Sequence, residues 1–138
     1  MRIRKEVQAI IFDRQDGEKV LLIKKFDLLD KTHYWRLVKG GIEGSETDEE
    51  ALKREIFEEV GLRNVQVVRK VYEYRYYFPA DTEHRVSVYL VQGDIRETPV
   101  LADEETREVI EVKWFDVEGA KKILHFDNEK ESLRKVYG

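Results

Sequence analysis

The spacing of apolar residues over the first 26 positions predicts a β-hairpin. The run VQAIIF, residues 7–12, and the tract that ends in KVLLIKKF, residues 13–26, are rich in aliphatic and β-branched side chains. They flank a polar turn at Asp16-Gly17, and two such runs around a glycine-containing loop are typical of paired strands. The following tract, residues 27–41, ends in glycines, and we expect it to be an irregular connection.

Three later segments also predict strands. Residues 65–78 and 84–94 alternate apolar and polar positions on either side of the turn-forming sequence PADT, residues 79–82. The run VIEVKWFDV, residues 109–117, supplies a further strand. From Glu118 onward the apolar spacing becomes helical, and residues beyond it predict a last short helix, NEKESLRKVY, with Asn128 as its N-cap.

The segment TDEEALKREIFEEV, residues 47–60, has the period of an amphipathic helix. Thr47 and Glu50 form a capping box at its start, and Gly61 suits the left-handed position that follows its end. Residues spaced at i, i+4 and i+8 make one apolar stripe that docks the helix on a sheet: Leu52, Ile56 and Val60. The element order β-β-α-β-β-β-α therefore predicts an α/β fold with a mixed β-sheet packed between helices.

Composition narrows the class of protein further. With 138 residues and 41% hydrophobic content, the chain has the size of one domain, residues 1–138. We expect a cytoplasmic protein, because no apolar run is long enough for a membrane helix and the N-terminal sequence lacks a secretory pattern. The absence of cysteine and the wide spacing of three histidines favour oxygen ligands for any metal. At a net charge of −4, a phosphate ligand would need local cations or a metal ion.

An acidic cluster lies on the helix beside the apolar stripe. Glu55, Glu58 and Glu59 share one arc near the negative end of the helix dipole, where they repel one another. Arg54 offsets part of this repulsion, but one arginine cannot neutralise three carboxylates. A solvated acidic face is the simpler interpretation; a site for a divalent cation such as Mg²⁺, which prefers carboxylates, water and phosphates, is the alternative.

The surrounding residues favour the metal site. The stretch from residue 40 to residue 62 fits the pattern G-x5-E-x7-R-E-U-x-E-E-x-G-U, where U is aliphatic, at every specified position: Gly40, Glu46, Arg54, Glu55, Ile56, Glu58, Glu59, Gly61 and Leu62. This pattern resembles the Nudix box of the Nudix hydrolase family. The resemblance extends over the whole chain and implies the family's α/β/α sandwich.

The resemblance also implies a reaction, which is hydrolysis of a nucleoside diphosphate linked to another group with Mg²⁺ or Mn²⁺. Glu55, Glu58 and Glu59 match family positions that bind metal or position the attacking water, and Arg54 matches the arginine that orients those carboxylates. Glycine at Gly40 and Gly41 lets the backbone approach phosphate and metal closely. The carbonyl of Lys39 is then a candidate metal ligand, and its ammonium is either a phosphate contact or a solvated loop lysine.

A further acid is expected from the loop before the last strand. Metal-dependent members of the family recruit such an acid, and the candidates here are Asp103, Glu104, Glu105, Glu108 and Glu111. Alignment on Trp114 places Glu108 where nucleotide-cleaving relatives carry an additional metal ligand or general base. An ordinary acidic loop is the alternative interpretation.

The sequence supports more than one substrate. WRLVKGGIEGSE resembles the branch that hydrolyses diadenosine polyphosphates, with departures at Val38 and Ser45, and WRLVKGGI is also similar to bacterial RNA 5′-pyrophosphohydrolases. Nucleoside triphosphates and ADP-ribose are further candidates, and a non-catalytic nucleotide sensor on the same scaffold is the alternative of another class. We expect a small-molecule nucleotide, with no nucleic acid except an RNA 5′ end, and a monomer or homodimer.

The tyrosine-rich hairpin supplies the candidate contacts to the rest of the substrate. Tyr74 and Tyr76 lie on one side of the strand and are candidates for stacking on a base, although aromatics at alternate strand positions are more often core. Arg75, His84 and Arg85 are candidates for clamping a phosphate chain.

Overall fold

The computed structural model describes residues 1–103 and 108–138, and these residues form seven strands and three helices. In chain order the elements are β1 (Arg2–Asp13), β2 (Lys19–Asp27), β3 (Thr32–Arg36), β4 (Val38–Gly41), α1 (Asp48–Val60), β5 (Gln66–Tyr77), β6 (Thr82–Gln92), β7 (Val109–Asp116), α2 (Val117–Ile123) and α3 (Asp127–Tyr137).

All seven strands belong to one mixed sheet, which confirms the predicted fold class. The main order is β3-β2-β1-β6-β5, with β4 paired to β1 and β7 paired to β2. The strands β1 and β6 run parallel, whereas the other pairs are antiparallel. Within the described ranges, no helix is long and apolar enough to cross a bilayer.

The sheet is covered by helices on both faces. Val7, Ala9 and Ile11 of β1 pack in the apolar cluster that contains α1. Ile10 and Phe12 belong to the opposite cluster, which contains residues of α2 and α3. Because alternate side chains of a strand point to opposite faces, residues 9–12 of β1 are buried on both sides and form an uninterrupted apolar run, AIIF.

Two features of the sequence prediction require correction. Residues 27–41 are not an irregular connection throughout, because β3 pairs with β2 and β4 pairs with β1. The last helix is not capped by Asn128, since it begins at Asp127 with Phe126 at the N-cap and no side-chain cap bond. The ring of Phe126 packs against the guanidinium of Arg36 at 4.2 Å, so packing against a strand sets this helix start.

The ends of α1 agree with the sequence prediction. The side chain of Thr47 accepts a hydrogen bond from the backbone N–H of Glu50, and the Glu50 side chain accepts one in return from the backbone N–H of Thr47. Gly61 adopts a left-handed conformation with φ of 70°. These caps fix the orientation of the acidic residues that lie between them.

Candidate active site

The glycines of β4 touch the acidic face of α1. A Cβ atom added to Gly40 would lie 1.9 Å from the carboxyl carbon of Glu55, so only glycine fits at this position. The pairing of β4 with β1 places Gly40 opposite Val7, which fixes the strand against the helix. The backbone of the glycine strand and a carboxylate of the helix are therefore in direct contact.

Arg54 connects the carboxylates to β4. Its Nη1 donates to Glu55 Oε1 at 2.7 Å and to Glu58 Oε2 at 3.3 Å. Its Nε donates to Glu46 Oε2 at 2.7 Å, and its Nη2 donates to the carbonyl of Gly41 at 2.7 Å. The bonds that Glu46 accepts from Arg54 and from the backbone N–H of Glu43 hold its pKa down to about 2. Arg54 thus ties the helix, the preceding loop and the glycine strand together.

Glu59 is the most unusual carboxylate of the cluster. Only 13% of its side chain is exposed, and its buried Oε2 atom has no hydrogen-bond partner within residues 1–103 and 108–138. Burial raises its pKa to about 7, and nearby Lys25 opposes this effect. The pKa of Glu55 is also raised by burial, while Arg54 lowers it. A buried oxygen without a partner is a group that a cation would stabilise.

Lys25 of β2 is a site residue that sequence reasoning missed. Its Nζ lies 3.5 Å from Glu59 Oε1 and 3.8 Å from Glu108 Oε2. Glu108 lies 49 positions after Glu59 in the chain, but both carboxylates contact Lys25, so the structure brings Glu108 next to the cluster. Among the other candidate acids, Glu104 and Glu105 lie outside the described residues.

The cluster has the chemistry of a site for a hard divalent cation. Its donors are all oxygen atoms, which Mg²⁺ and Mn²⁺ prefer, and the Oε2 of Glu59, which has no hydrogen-bond partner among the described residues, is a suitable ligand for such an ion. Across residues 1–103 and 108–138, no three Asp, Glu or His side chains already converge on one point. In this structure the carboxylates are paired with Arg54 and Lys25 instead.

Lys39 lies on the other side of the glycine strand, where it begins a series of polar contacts that continues through Tyr76 to Glu6. Its Nζ donates to the hydroxyl of Tyr76 at 2.7 Å and lies 4.5 Å from the centroid of that ring. The Tyr76 hydroxyl donates in turn to Glu6 Oε1 at 3.1 Å. Burial lowers the pKa of Lys39 to about 8, against the attraction of Glu6. Lys39 is therefore not a solvated loop residue.

His84 belongs to the same chain of contacts. Its Nδ1 lies 2.6 Å from Glu6 Oε1, and its Nε2 lies 2.6 Å from the carbonyl oxygen of Phe78. Its ring stacks on Tyr76 with centroids 4.3 Å apart. Both ring nitrogens are engaged within the protein, so in this arrangement His84 offers a ring face and not a free N–H.

Three of the residues predicted from the hairpin lie elsewhere. Tyr74 is buried in the apolar cluster of α2 and α3, where its hydroxyl donates to Gln8 Oε1 at 2.7 Å. Arg75 and Arg85 both pair with Glu83, at 3.2 Å and 2.8 Å. Their guanidinium groups are thus held by a carboxylate outside the cluster.

A cavity of about 570 Å³ opens beside the glutamate cluster. Its lining combines Glu55 and Gly41 with the N-terminal end of β1 and the turn between β5 and β6. The cationic side chains in this lining are Arg2, Arg4 and Lys5, and the aromatic ones are Phe78 and His84. Cations and aromatic rings beside a carboxylate cluster suit a ligand that carries phosphates and a base.

Comparison with known families gives a match over nearly the whole chain. A family model described as the NUDIX domain matches residues 2–136. The RNA pyrophosphohydrolase of Bartonella tribocorum is 31% identical over 83 residues, which cover 56% of this chain and 47% of that protein. The aligned part thus spans about half the length of this relative.

Solved structures share the fold at lower identity. The Ap4A hydrolase of C. elegans in a binary complex superimposes with a TM-score of 0.79 at 21% identity, covering 96% of this chain and 93% of that chain. The NUDIX domain of Shewanella oneidensis NrtR in complex with ADP ribose gives a TM-score of 0.77 at 16% identity, with coverages of 98% and 86%. At these identities the likeness concerns the fold.

Proposed function

The chain belongs to the Nudix family, and from that membership we propose that it is a metal-dependent pyrophosphohydrolase that acts on a nucleoside diphosphate linked to another group. One observation carries this proposal: Arg54 holds the carboxylates of α1 against the glycines of β4, at the mouth of a cavity lined by cations. A solvated acidic helix face would not require a glycine strand in contact with its carboxylates.

The residues that would hold Mg²⁺ or Mn²⁺ are the oxygens of Glu55, Glu58 and Glu59, with the Lys39 carbonyl and Glu108 as further ligands. When bound, the ion neutralises charge on phosphate oxygens and activates a water for attack on the pyrophosphate link. Glu58 is 55% exposed and faces solvent, whereas only 13% of the Glu59 side chain is exposed. The cluster therefore offers one accessible carboxylate and one that is largely shielded from water.

The other residues of the site bind and orient the substrate. Lys39 donates to a phosphate from the end of its contact chain, and the backbone at Gly40 and Gly41 leaves room for the phosphate to approach. Tyr76 and His84 form a stacked pair behind Lys39, close to the cavity. Arg54 carries out no chemistry itself but keeps Glu55 and Glu58 in their orientation.

A diadenosine polyphosphate or similar dinucleotide is the substrate that we favour. Support comes from the sequence WRLVKGGIEGSE and from a cavity that is large and cationic enough for phosphates beyond the cleavage site. An RNA 5′ end is the second candidate, supported by relatives that carry the name RNA pyrophosphohydrolase. A nucleotide sensor is less favoured, because this chain keeps the glutamates and the arginine that support hydrolysis.

A substrate panel tests this proposal. Purified protein with Mg²⁺ is incubated with diadenosine tetraphosphate, triphosphorylated RNA, ATP and ADP-ribose, and the products are identified by chromatography. We expect the fastest release of mononucleotides from diadenosine tetraphosphate. Faster cleavage of triphosphorylated RNA would replace the substrate assignment, and tight nucleotide binding without turnover of any compound would establish the sensor instead.

The pKa of Lys39 leads to a pH prediction. Because its pKa in the folded protein is about 8, the ammonium that contacts phosphate loses its proton above that pH, and kcat/KM should then fall. In Lys39→Arg the group stays charged, so the decline attributable to this residue should disappear up to about pH 10. A decline at the same pH in both proteins, measured with both folded, would exclude Lys39 as its source.

A further inference from the structure

A second buried carboxylate, Glu6 of β1, lies outside the metal cluster. Only 5% of Glu6 is exposed. Its Oε1 is 2.6 Å from His84 Nδ1 and accepts a hydrogen bond from Tyr76 at 3.1 Å, while its Oε2 is 3.6 Å from Arg4 Nε. Removing a carboxylate from water is unfavourable unless partners compensate, and these three partners come from three different strands.

Each partner of Glu6 either lines the cavity or contacts Lys39. Arg4 and His84 line the cavity. Tyr76 passes the contact on to Lys39, whose ammonium lies beside the glycine strand. Glu6 itself pairs with Gly41 across β1 and β4, and a Cβ atom at Gly41 would lie 2.7 Å from Arg4 Nη2. One carboxylate thus connects the cavity wall with the lysine proposed for phosphate binding.

A neighbouring carboxylate shows what a purely structural ion pair looks like in this sheet. Glu83 of β6 is 6% exposed, nearly the same as Glu6, and it pairs with Arg75 and Arg85. Neither arginine lines the cavity. Glu6 and Glu83 are therefore similarly buried, and both form ion pairs. They differ because two partners of Glu6 line the cavity, whereas the arginines that pair with Glu83 do not.

We propose that Glu6 is a positioning residue that orients Arg4 and, through Tyr76, Lys39 toward the phosphates of the substrate, and that holds the ring of His84 in place at the cavity wall. This inference rests on the proposed function of the cluster. Glu6 touches no reacting atom, so its removal should weaken binding of the phosphate chain and leave the bond-breaking step largely unchanged. The expected signature is a rise in KM with little change in kcat.

The test compares Glu6→Gln with Glu83→Gln. Binding of inorganic tripolyphosphate and of α,β-methylene-ATP with Mg²⁺ is measured by calorimetry, and KM and kcat are measured on the best substrate of the panel. For Glu6→Gln we expect affinity to fall and KM to rise by about tenfold, the effect of losing one charge-assisted hydrogen bond, with kcat within about threefold. Glu83→Gln should stay within about twofold of the wild type for each quantity.

A second variant keeps the test decisive if Glu6→Gln folds poorly. Tyr76→Phe keeps the ring but removes the hydroxyl between Lys39 and Glu6, and it should weaken tripolyphosphate binding to a similar extent. Because both changes break one chain of contacts, their effects in the double variant should be less than additive.

The outcomes distinguish failure of the proposed function from failure of the proposed role of Glu6. If the wild type binds neither tripolyphosphate nor the nucleotide analogue and cleaves nothing, the proposed function fails, and the role of Glu6 fails with it. If the wild type binds and cleaves but Glu6→Gln matches Glu83→Gln, the function stands and the positioning role of Glu6 is wrong. A selective rise in KM for Glu6→Gln and Tyr76→Phe supports both.

Discussion

Replacing Glu59 by glutamine is expected to lower the rate of hydrolysis by about 10²- to 10⁴-fold, the range that corresponds to several kcal/mol of lost charge stabilisation. The reason is structural. Glu59 is the mostly buried carboxylate of the cluster whose Oε2 has no hydrogen-bond partner among the described residues, and glutamine keeps its shape but not its charge. Steady-state rates with saturating Mg²⁺ would measure the loss.

The same substitution should not destabilise the protein when divalent ions are absent. Burial raises the pKa of Glu59 from its usual 4.5 to about 7, so between these values the folded state binds more protons than the unfolded state. Stability therefore falls as the pH rises through this window. Glu59→Gln removes this penalty, and in EDTA at pH 8 it should unfold at the same or higher urea concentration than the wild type.

Glu49→Gln is the matched control for Glu59→Gln. Glu49 lies on the same helix, is exposed, and pairs with Lys53 one turn away. Its replacement should change the rate by less than about twofold, because an exposed ion pair contributes little. Equal rates for wild type and Glu59→Gln would remove the cluster from the mechanism, whatever the stability data show.

Gly40→Ala is expected to have the second large effect. The added Cβ would lie 1.9 Å from the carboxyl carbon of Glu55, and Arg54 holds that carboxylate at 2.7 Å, so either the carboxylate or β4 must move. A shift of this kind would misplace a proposed metal ligand, and we expect hydrolysis to drop by about 100-fold. Binding of Mn²⁺, followed by electron paramagnetic resonance, should weaken as well.

Gly41→Ala provides the comparison for Gly40→Ala. Its Cβ would meet Arg4 Nη2 at 2.7 Å, but this atom ends a flexible side chain that can move away. The rate should therefore fall less for Gly41→Ala than for Gly40→Ala, and Mn²⁺ affinity should be retained. If the two variants lost activity equally while Mn²⁺ affinity stayed unchanged in both, close contact between Gly40 and Glu55 would not be the cause.

The helix and its acids could be predicted from the sequence because their signals are local. The capping box at Thr47, the left-handed Gly61 and the apolar stripe all lie within 15 residues of one another, and the structure has each of them. The strands β3 and β4 could not be found this way. Both are short and are stabilised by pairing with distant strands, which residue spacing within the segment does not reveal.

The surroundings of the site were harder to predict for a related reason. Tyr74 and Tyr76 have the same alternation in sequence, but Tyr74 is buried in the core and Tyr76 faces Lys39. Alternation shows that two residues lie on the same face of a strand. It does not show which part of that face is covered by other elements of the fold. Lys25 and Glu6 gave no motif at all, since their roles arise from contacts made across the sheet.

The bonds of Arg54 have a consequence for how this chain can change. Its guanidinium joins α1 to the loop at Glu46 and to the carbonyl of Gly41, so the groups proposed for metal binding are held together within some twenty residues. The rest of the cavity lining comes from other parts of the chain, near Arg4 and Phe78. Mutations there can change which molecule binds while the proposed catalytic residues keep their positions. New substrate specificities can therefore arise around an unchanged catalytic centre.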